Sequence, residues 1–213
     1  MASRRSSAPA ARLTMNVLRL PEPRRVSGVS VEAALLGRRS VREYRPEALT
    51  LAEAGQLLWA AQGLTGSEGK RTAPSAGATF PLETYLVAGH AAGIAAGVYH
   101  YRPAPHEILG VVPGDLRAAL AAVSLNQDCV RNCAGAIVFA TVVARTAAKY
   151  GASAAAYVDM EAGHAAQNVA LQAVALGLGT VMIGAFDEEP LAKLLHLPPE
   201  HRPRYYVAVG RPQ

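Results

Sequence analysis

Along most of the chain the apolar positions fall into short, separable patterns whose period changes from one segment to the next. Thr50 and Glu53 stand three apart ahead of LAEAGQLLWAAQ, the spacing of a capping box. Gly63 follows as a C′ residue, so a helix is predicted over 51–62. SVEAALLGRR predicts a shorter helix capped by Ser30. GDLRAALAAV (114–123) predicts a third. DEEPLAKLLHL (187–197) predicts a fourth, with Asp187 as cap and early acids that suit a helix N-terminus. Strand patterns fall at 84–89, 97–102, 107–112, 135–144, 179–184 and 204–210, and PAPH joins the second and third into a hairpin. Helices and strands intermingle without strict βαβ alternation. That predicts an α+β fold, a mixed sheet covered by helices.

One segment follows neither pattern. AAAYVDMEAGHAAQNVALQAVALGLG (154–179) reads as a long helix with alanine or another apolar residue on nearly every side, ending at Gly177 or Gly179. Such a helix is expected to be buried all round. In a domain this small, full burial predicts a homodimer interface. Its polar residues Glu161, His164, Asn168 and Gln172 recur every three or four positions and form one stripe.

Composition changes the picture in one respect. The chain has 213 residues, a net charge of +5 and 51% hydrophobic content, enough for one domain with a sizeable core. The basicity is local: residues 1–45 carry ten arginines against three acids, whereas residues 46–213 carry 11 bases and 13 acids. A near-neutral body argues against a nucleic-acid binder. Residues 1–25 read as a basic flexible arm, and 26–213 as one domain. No apolar run approaches a membrane span and no secretory signal pattern follows the basic start, so a cytoplasmic protein is expected. Cys129 and Cys133 read as structural free thiols, since no further ligands stand nearby for a metal.

The candidate chemistry is sparse. There is no phosphate loop, no GxGxxG opening a helix and no GxSxG elbow, and the single ExxH (Glu161, His164) lacks the second copy a di-iron site needs. Four features remain. RRSVR (38–42) sets guanidinium groups beside a hydroxyl, a donor set suited to phosphate and a polyol, or a plain solvated turn. APSAGATFP (73–81) is a small-residue loop that lets backbone approach a flat ligand, or an ordinary turn. VMIGAF (181–186) ends a strand at Gly184, where a backbone N–H could meet a ligand, and AAKYG (147–151) sets a lone lysine beside a tyrosine.

In this order, these features resemble the FMN-dependent nitroreductase superfamily, a three-layer α/β/α fold that binds FMN at a homodimer interface. More narrowly, QLLWAAQG, GVYHY, KYG and EAGHAAQN are similar to the SagB-type thiazole/oxazole-forming peptide dehydrogenases, or azoline oxidases. The resemblance implies that Arg38, Arg39, Ser40 and Arg42 hold the phosphate and ribityl chain, with a further phosphate contact from Arg211. It places Pro74, Ser75, Ala76 and Gly77 near the isoalloxazine of the other subunit, and the Ile183–Gly184 backbone facing flavin N5. Lys149 and Tyr150 match the family's Lys-Tyr pair, a base for azoline oxidation in which a hydride passes to flavin N5. The chain departs at 152–158, where ASAAAYV stands in place of a charged RGYRY and removes charge from a region that would recognise substrate or partner. Two rival readings share the fold: an NAD(P)H-dependent nitro- or quinone reductase, and a flavin-binding protein without turnover.

Overall fold

The computed structural model describes residues 16–66 and 68–213. The first half contains β1 (Val17–Arg19), α1 (Val31–Gly37), β2 (Tyr44–Arg45), β3 (Leu49–Thr50), α2 (Leu51–Gln62), β4 (Leu82–Ala88), β5 (Ala91–Ala92) and β6 (Gly97–Arg102). The second contains β7 (Glu107–Pro113), α3 (Arg117–Ala122), α4 (Asp128–Arg131), β8 (Gly135–Thr141), α5 (Val143–Tyr150), α6 (Ala154–Ala175), β9 (Gly179–Ile183), α7 (Glu188–Leu194) and β10 (Arg202–Pro212).

The main sheet runs β1-β7-β6-β4-β8-β10-β2, with β9 also on β10. Its strand pairs are antiparallel; the parallel pairing among the described residues is the small β3–β5 ribbon and the isolated Ser40–Thr180 bridge. Helices cover both faces, which is why β8 reads as an unbroken apolar run with all seven residues buried. One core lies between the sheet and α2 and α6, and includes Leu57, Leu86, Phe139 and Val169. The other lies beneath α3, α4 and α7, with Leu120, Val138, Leu191 and Tyr206. The α+β, three-layer reading holds.

Local chemistry explains most boundaries. Thr50 accepts from the Glu53 N–H while Glu53 accepts from the Thr50 N–H, closing the capping box of α2. Ser30 caps α1. Gly63 caps α2 with φ −65°, not the left-handed value of a C′ glycine. Glycine suits this position because a Cβ would lie 2.1 Å from the Trp59 ring.

Two expectations are corrected, and a third concerns a helix face that the single chain leaves open. β8 ends at Thr141, and residues 143–144, expected as strand, begin α5, so the Lys149–Tyr150 pair sits on the last turn of a helix. Residues 17–19, expected within a flexible arm, pair with β7, and Leu20 is buried. The packed domain therefore begins by residue 17, while residues 1–15 of that arm lie outside the described residues. Helix α6 is not buried all round within the single chain: Ala155, Ala156, Asp159, Met160, Gly163 and His164 are exposed. Of its polar stripe only His164 points outward. Glu161 is buried, Asn168 donates to the Thr72 carbonyl, and Gln172 accepts from Gln56.

Candidate active site

The arginine segment is threaded along β9. Gly37 ends α1 where a Cβ would lie 3.1 Å from Val174 of α6, and Arg38 donates its N–H to Ala34. The chain then bridges Ser40 to Thr180, with the Val41 N–H on the Thr180 carbonyl at 2.8 Å. Arg38 is half-buried, Ser40 is exposed, and Arg39 folds back on the carbonyls of Leu36 and Arg38 at 2.9 and 2.7 Å. Arg42 opens onto a separate cavity of about 460 Å³ that includes Tyr44, Gln127, Asp128 and Asn132. Arg45 donates to the Pro212 carbonyl and pairs with Glu47. The four arginines are thus not one patch. Arg211 is bound to Glu53 at 2.7 and 3.0 Å, so its guanidinium already has an anionic partner.

Gly184 follows buried Ile183 at the end of β9 and is exposed. At about 3.3 Å per strand residue it lies ~13 Å beyond the Ser40–Thr180 bridge. A Cβ at Gly184 would sit 3.5 Å from the Tyr205 ring, an ordinary contact, so packing within the chain does not demand glycine there. Tyr205 also lines a cavity of about 290 Å³ with Asp159 and Gly163 on the exposed face of α6.

The second group forms around the loop after α2. Lys149 Nζ lies 3.5 Å from the Gly77 carbonyl, and a Cβ at Gly77 would meet Lys149 Nζ and Tyr150 Oη at 2.6 Å each. Gly77 also has φ +57°, so glycine here serves both conformation and close approach. Two ties hold α5 to this loop. The Thr79 and Thr146 hydroxyls meet at 2.9 Å, and Arg145 reaches the Phe80 carbonyl at 2.9 Å and Glu83 at 2.5 Å. Burial alone would raise the Glu83 carboxyl, but His100 and Arg145 outweigh it and hold the group down at about 2. Tyr150 packs edge-on against Tyr157, ring centres 5.1 Å apart.

Beneath the loop lies a buried polar cluster. Arg71 stacks 4.6 Å over the Phe80 ring and donates to Gln62 at 2.8 Å. Glu161 faces it from α6, and burial pushes its carboxyl up to about 6 against the opposing pull of the Ser75 hydroxyl and Arg71. The sequence reading missed this cluster. Its one signal was a carboxylate in an alanine-rich helix, read there as half of an ExxH pair.

Within one chain the two groups stay apart. Gly37 packs at Val174 and Ser75 at Glu161, thirteen residues along α6, or ~20 Å at 1.5 Å per residue. Gly184 and the 74–77 loop lie near one end of the sheet, but β9 and β4 are three strand spacings apart, ~14 Å. Lys149, Tyr150 and Gly77 are brought together; Arg38, Ser40 and Gly184 line up along β9.

A family model described as the nitroreductase family matches residues 35–211. The chain is 39% identical over 194 residues to a Methanocaldococcus jannaschii protein named as a nitroreductase, covering 91% of this chain and 96% of that one. Among solved structures, a nitroreductase of Ralstonia eutropha superposes with a TM-score of 0.82 at 29% identity, covering 99% and 96% of the two chains. One from Anabaena variabilis gives 0.80 at 26%, covering 93% of this chain but 42% of that longer one. Two more distant structures are similar in fold. The Escherichia coli microcin synthetase McbBCD complex with truncated pro-MccB17 gives 0.71 at 22% identity, covering 99% and 85%. The NADPH:FMN oxidoreductase of Vibrio harveyi gives 0.62 at 20%, covering 86% and 69%.

Proposed function

The chain belongs to the nitroreductase family of oxidoreductases, and on that premise we propose that it is an FMN-dependent homodimer of the azoline-dehydrogenase type. The observation that carries the reading is the approach of Lys149 Nζ to the Gly77 carbonyl, with Tyr150 Oη beside the same glycine, within a loop matched to flavin contact. In the folded chain the donor set fits FMN. Arg38 and Ser40 lie beside β9, where a half-buried guanidinium and a free-facing hydroxyl can meet a phosphate and polyol. Gly184 leaves backbone exposed farther along the same strand, beside an open cavity. Arg39 and Arg42 add positive charge along the segment, whereas Arg211 is the weakest of the proposed contacts because Glu53 already holds it.

When bound, FMN supplies a two-electron acceptor for a hydride. The chain's own task is to bind and orient the substrate and to take the proton. Lys149 or Tyr150, on the last turn of α5, is the base that removes a ring proton from a thiazoline or oxazoline. The microcin synthetase fold match supports a peptide substrate for a chain of this shape.

The two separated groups support a dimer, in which the 74–77 loop of one copy meets the β9 flank of the other. Exposed Val31, Leu35, Leu36 and Met160 provide apolar surface for it. A second reading, an NAD(P)H-dependent nitro- or quinone reductase with Lys149 and Tyr150 structural, draws on the nitroreductase relatives and the NADPH:FMN oxidoreductase.

Purified protein should carry FMN and absorb at ~450 nm; a colourless protein that takes up no flavin would exclude the reading. Lys149→Ala and Tyr150→Phe should abolish oxidation of an azoline peptide while leaving NADH-driven flavin reduction intact. If neither change affects any turnover, the pair is structural and the reductase reading stands.

A further inference from the structure

Helix α5 has eight residues, and Thr146 is the one that is buried. Two turns do not hold a helix by their own hydrogen bonds, so its place depends on tertiary ties. Its N-terminus has no side-chain cap. The ties that reach it are polar. The Thr146 hydroxyl meets Thr79 at 2.9 Å. Arg145 spreads one guanidinium over two partners, the Phe80 carbonyl at 2.9 Å and Glu83 Oε1 at 2.5 Å. Lys149 stands four residues after Arg145, one turn along the same side of the helix.

Glu83 is fixed from its other side. Its Oε2 is hydrogen-bonded to His100 Nε2 of β6 at 2.7 Å. Tyr85 pairs with His100 across β4 and β6, so Glu83 and His100 are diagonal neighbours on one face of the sheet. The His100 ring stacks on Tyr85 with centres 4.7 Å apart, and Tyr85 Oη is hydrogen-bonded to His201 Nδ1 at 2.7 Å. Both carboxylate oxygens are therefore used, one by the sheet and one by α5. Exposed ion pairs contribute little because both partners are solvated and mobile. Here the acid is only 17% exposed and held by a second partner, against 41% for the arginine. Leu82 and residues 84–88 of β4 are buried, so strand packing alone gives no reason for an acid at this position.

We propose that Glu83 is a positioning residue for the reaction. Anchored by His100, it holds Arg145, and Arg145 sets α5 against the 75–80 loop, which decides where Lys149 Nζ stands over the Gly77 carbonyl. Glu83 also supplies the counter-charge that lets two cations stand one turn apart on α5. It acts through Arg145 and Lys149, not on the reacting atoms. The role in turnover rests on the reading above, which makes Lys149 part of the reaction; the anchoring of α5 does not.

The test measures backbone amide exchange, corrected for intrinsic rates, together with steady-state azoline oxidation by the FMN-loaded enzyme. Glu83→Ala and Arg145→Ala should each speed exchange at residues 147–150 by about fivefold or more, with β8 amides unchanged. Both should lower kcat by about tenfold with KM moved by less than about twofold. The two act through one link, so the double variant should be no slower than the slower single one. Glu83→Gln, whose carbonyl oxygen still accepts from Arg145, should restore most of both readouts. Unchanged α5 exchange in Arg145→Ala overturns the proposal, even if Glu83→Ala does not fold. Faster exchange with an unchanged kcat overturns the positioning role, and so do kcat losses that multiply in the double variant. If the wild-type enzyme oxidises no azoline, or Lys149→Ala still does, the reading of the Lys-Tyr pair is what fails, and exchange at α5 still decides whether Glu83 anchors the helix.

Discussion

Ionising Glu161 inside the fold costs free energy, and the sign of its pKa displacement says at which pH. The carboxyl is raised from 4.5 to about 6, chiefly by burial. The folded protein therefore binds its proton more tightly than the unfolded chain. Stability then falls as pH rises from about 4.5 to about 6, and the cost is complete above that window. At 1.36 kcal/mol per unit this is about 2 kcal/mol. Glu161→Gln should thus raise the Tm by several degrees at pH 8 and by nothing at pH 4, measured by calorimetry. Equal gains at both pH values would show that charge burial is not the cause. At Gly77 an unusual conformation coincides with the proposed site. Gly77→Ala adds a methyl at φ +57° facing Lys149 Nζ and Tyr150 Oη at 2.6 Å. Both are the far ends of flexible side chains and can move aside, so stability should fall by only about 1–2 kcal/mol. On the proposed function azoline oxidation should fall far more, because the proposed base is what moves. An enzyme that loses stability but keeps its rate would show that the close approach is incidental.

At the scale of elements, α6 shows how far a pattern can be read. Its alanines and the absence of polar stripes other than the Glu161–Gln172 one predicted close packing, and Ala162, Ala165, Ala166, Val169 and Ala173 are indeed buried against the sheet and α2. The pattern could not tell which sides the sheet covers, since alanine is nearly as acceptable on an exposed helix face as in a core. The structure divides the helix, and the division is testable. Ala165→Leu, fully buried, should destabilise the fold by about 1–3 kcal/mol through overpacking. Ala156→Leu, exposed in the single chain, should leave the unfolding free energy of each subunit almost unchanged. Similar denaturant shifts for both would mean that the exposed face is packed. The boundary missed at residues 142–144 has the same kind of cause. VVA carries strong strand propensity, but β8 has already met the edge of its pairing partners at Thr141, and tertiary context turns the chain into α5.

At the scale of the whole molecule, the two separated groups of proposed site residues make assembly the natural question. Sedimentation at micromolar concentration should give a species of twice 22.3 kDa. Leu36→Glu, on an exposed apolar position of α1, should shift it toward monomer and lower flavin content together. A wild-type monomer that binds FMN stoichiometrically would refute the interface reading. Much of the fold was legible in the sequence because its signals are local. The capping box at Thr50 and Glu53, the Ser30 cap, the PAPH hairpin and the unbroken apolar runs of β8 and β10 depend on neighbours a few residues away. The RRSVR, PSAG and KYG segments were likewise visible as motifs. Their placement was not. That Arg211 is held by Glu53, that Arg42 opens onto a cavity apart from Arg38, and that Glu161 turns inward under Ser75 all depend on contacts across tens to more than a hundred residues. A side chain's role in a polar cluster is decided by which partners the packed layers bring within hydrogen-bond reach, and no local pattern encodes that distance.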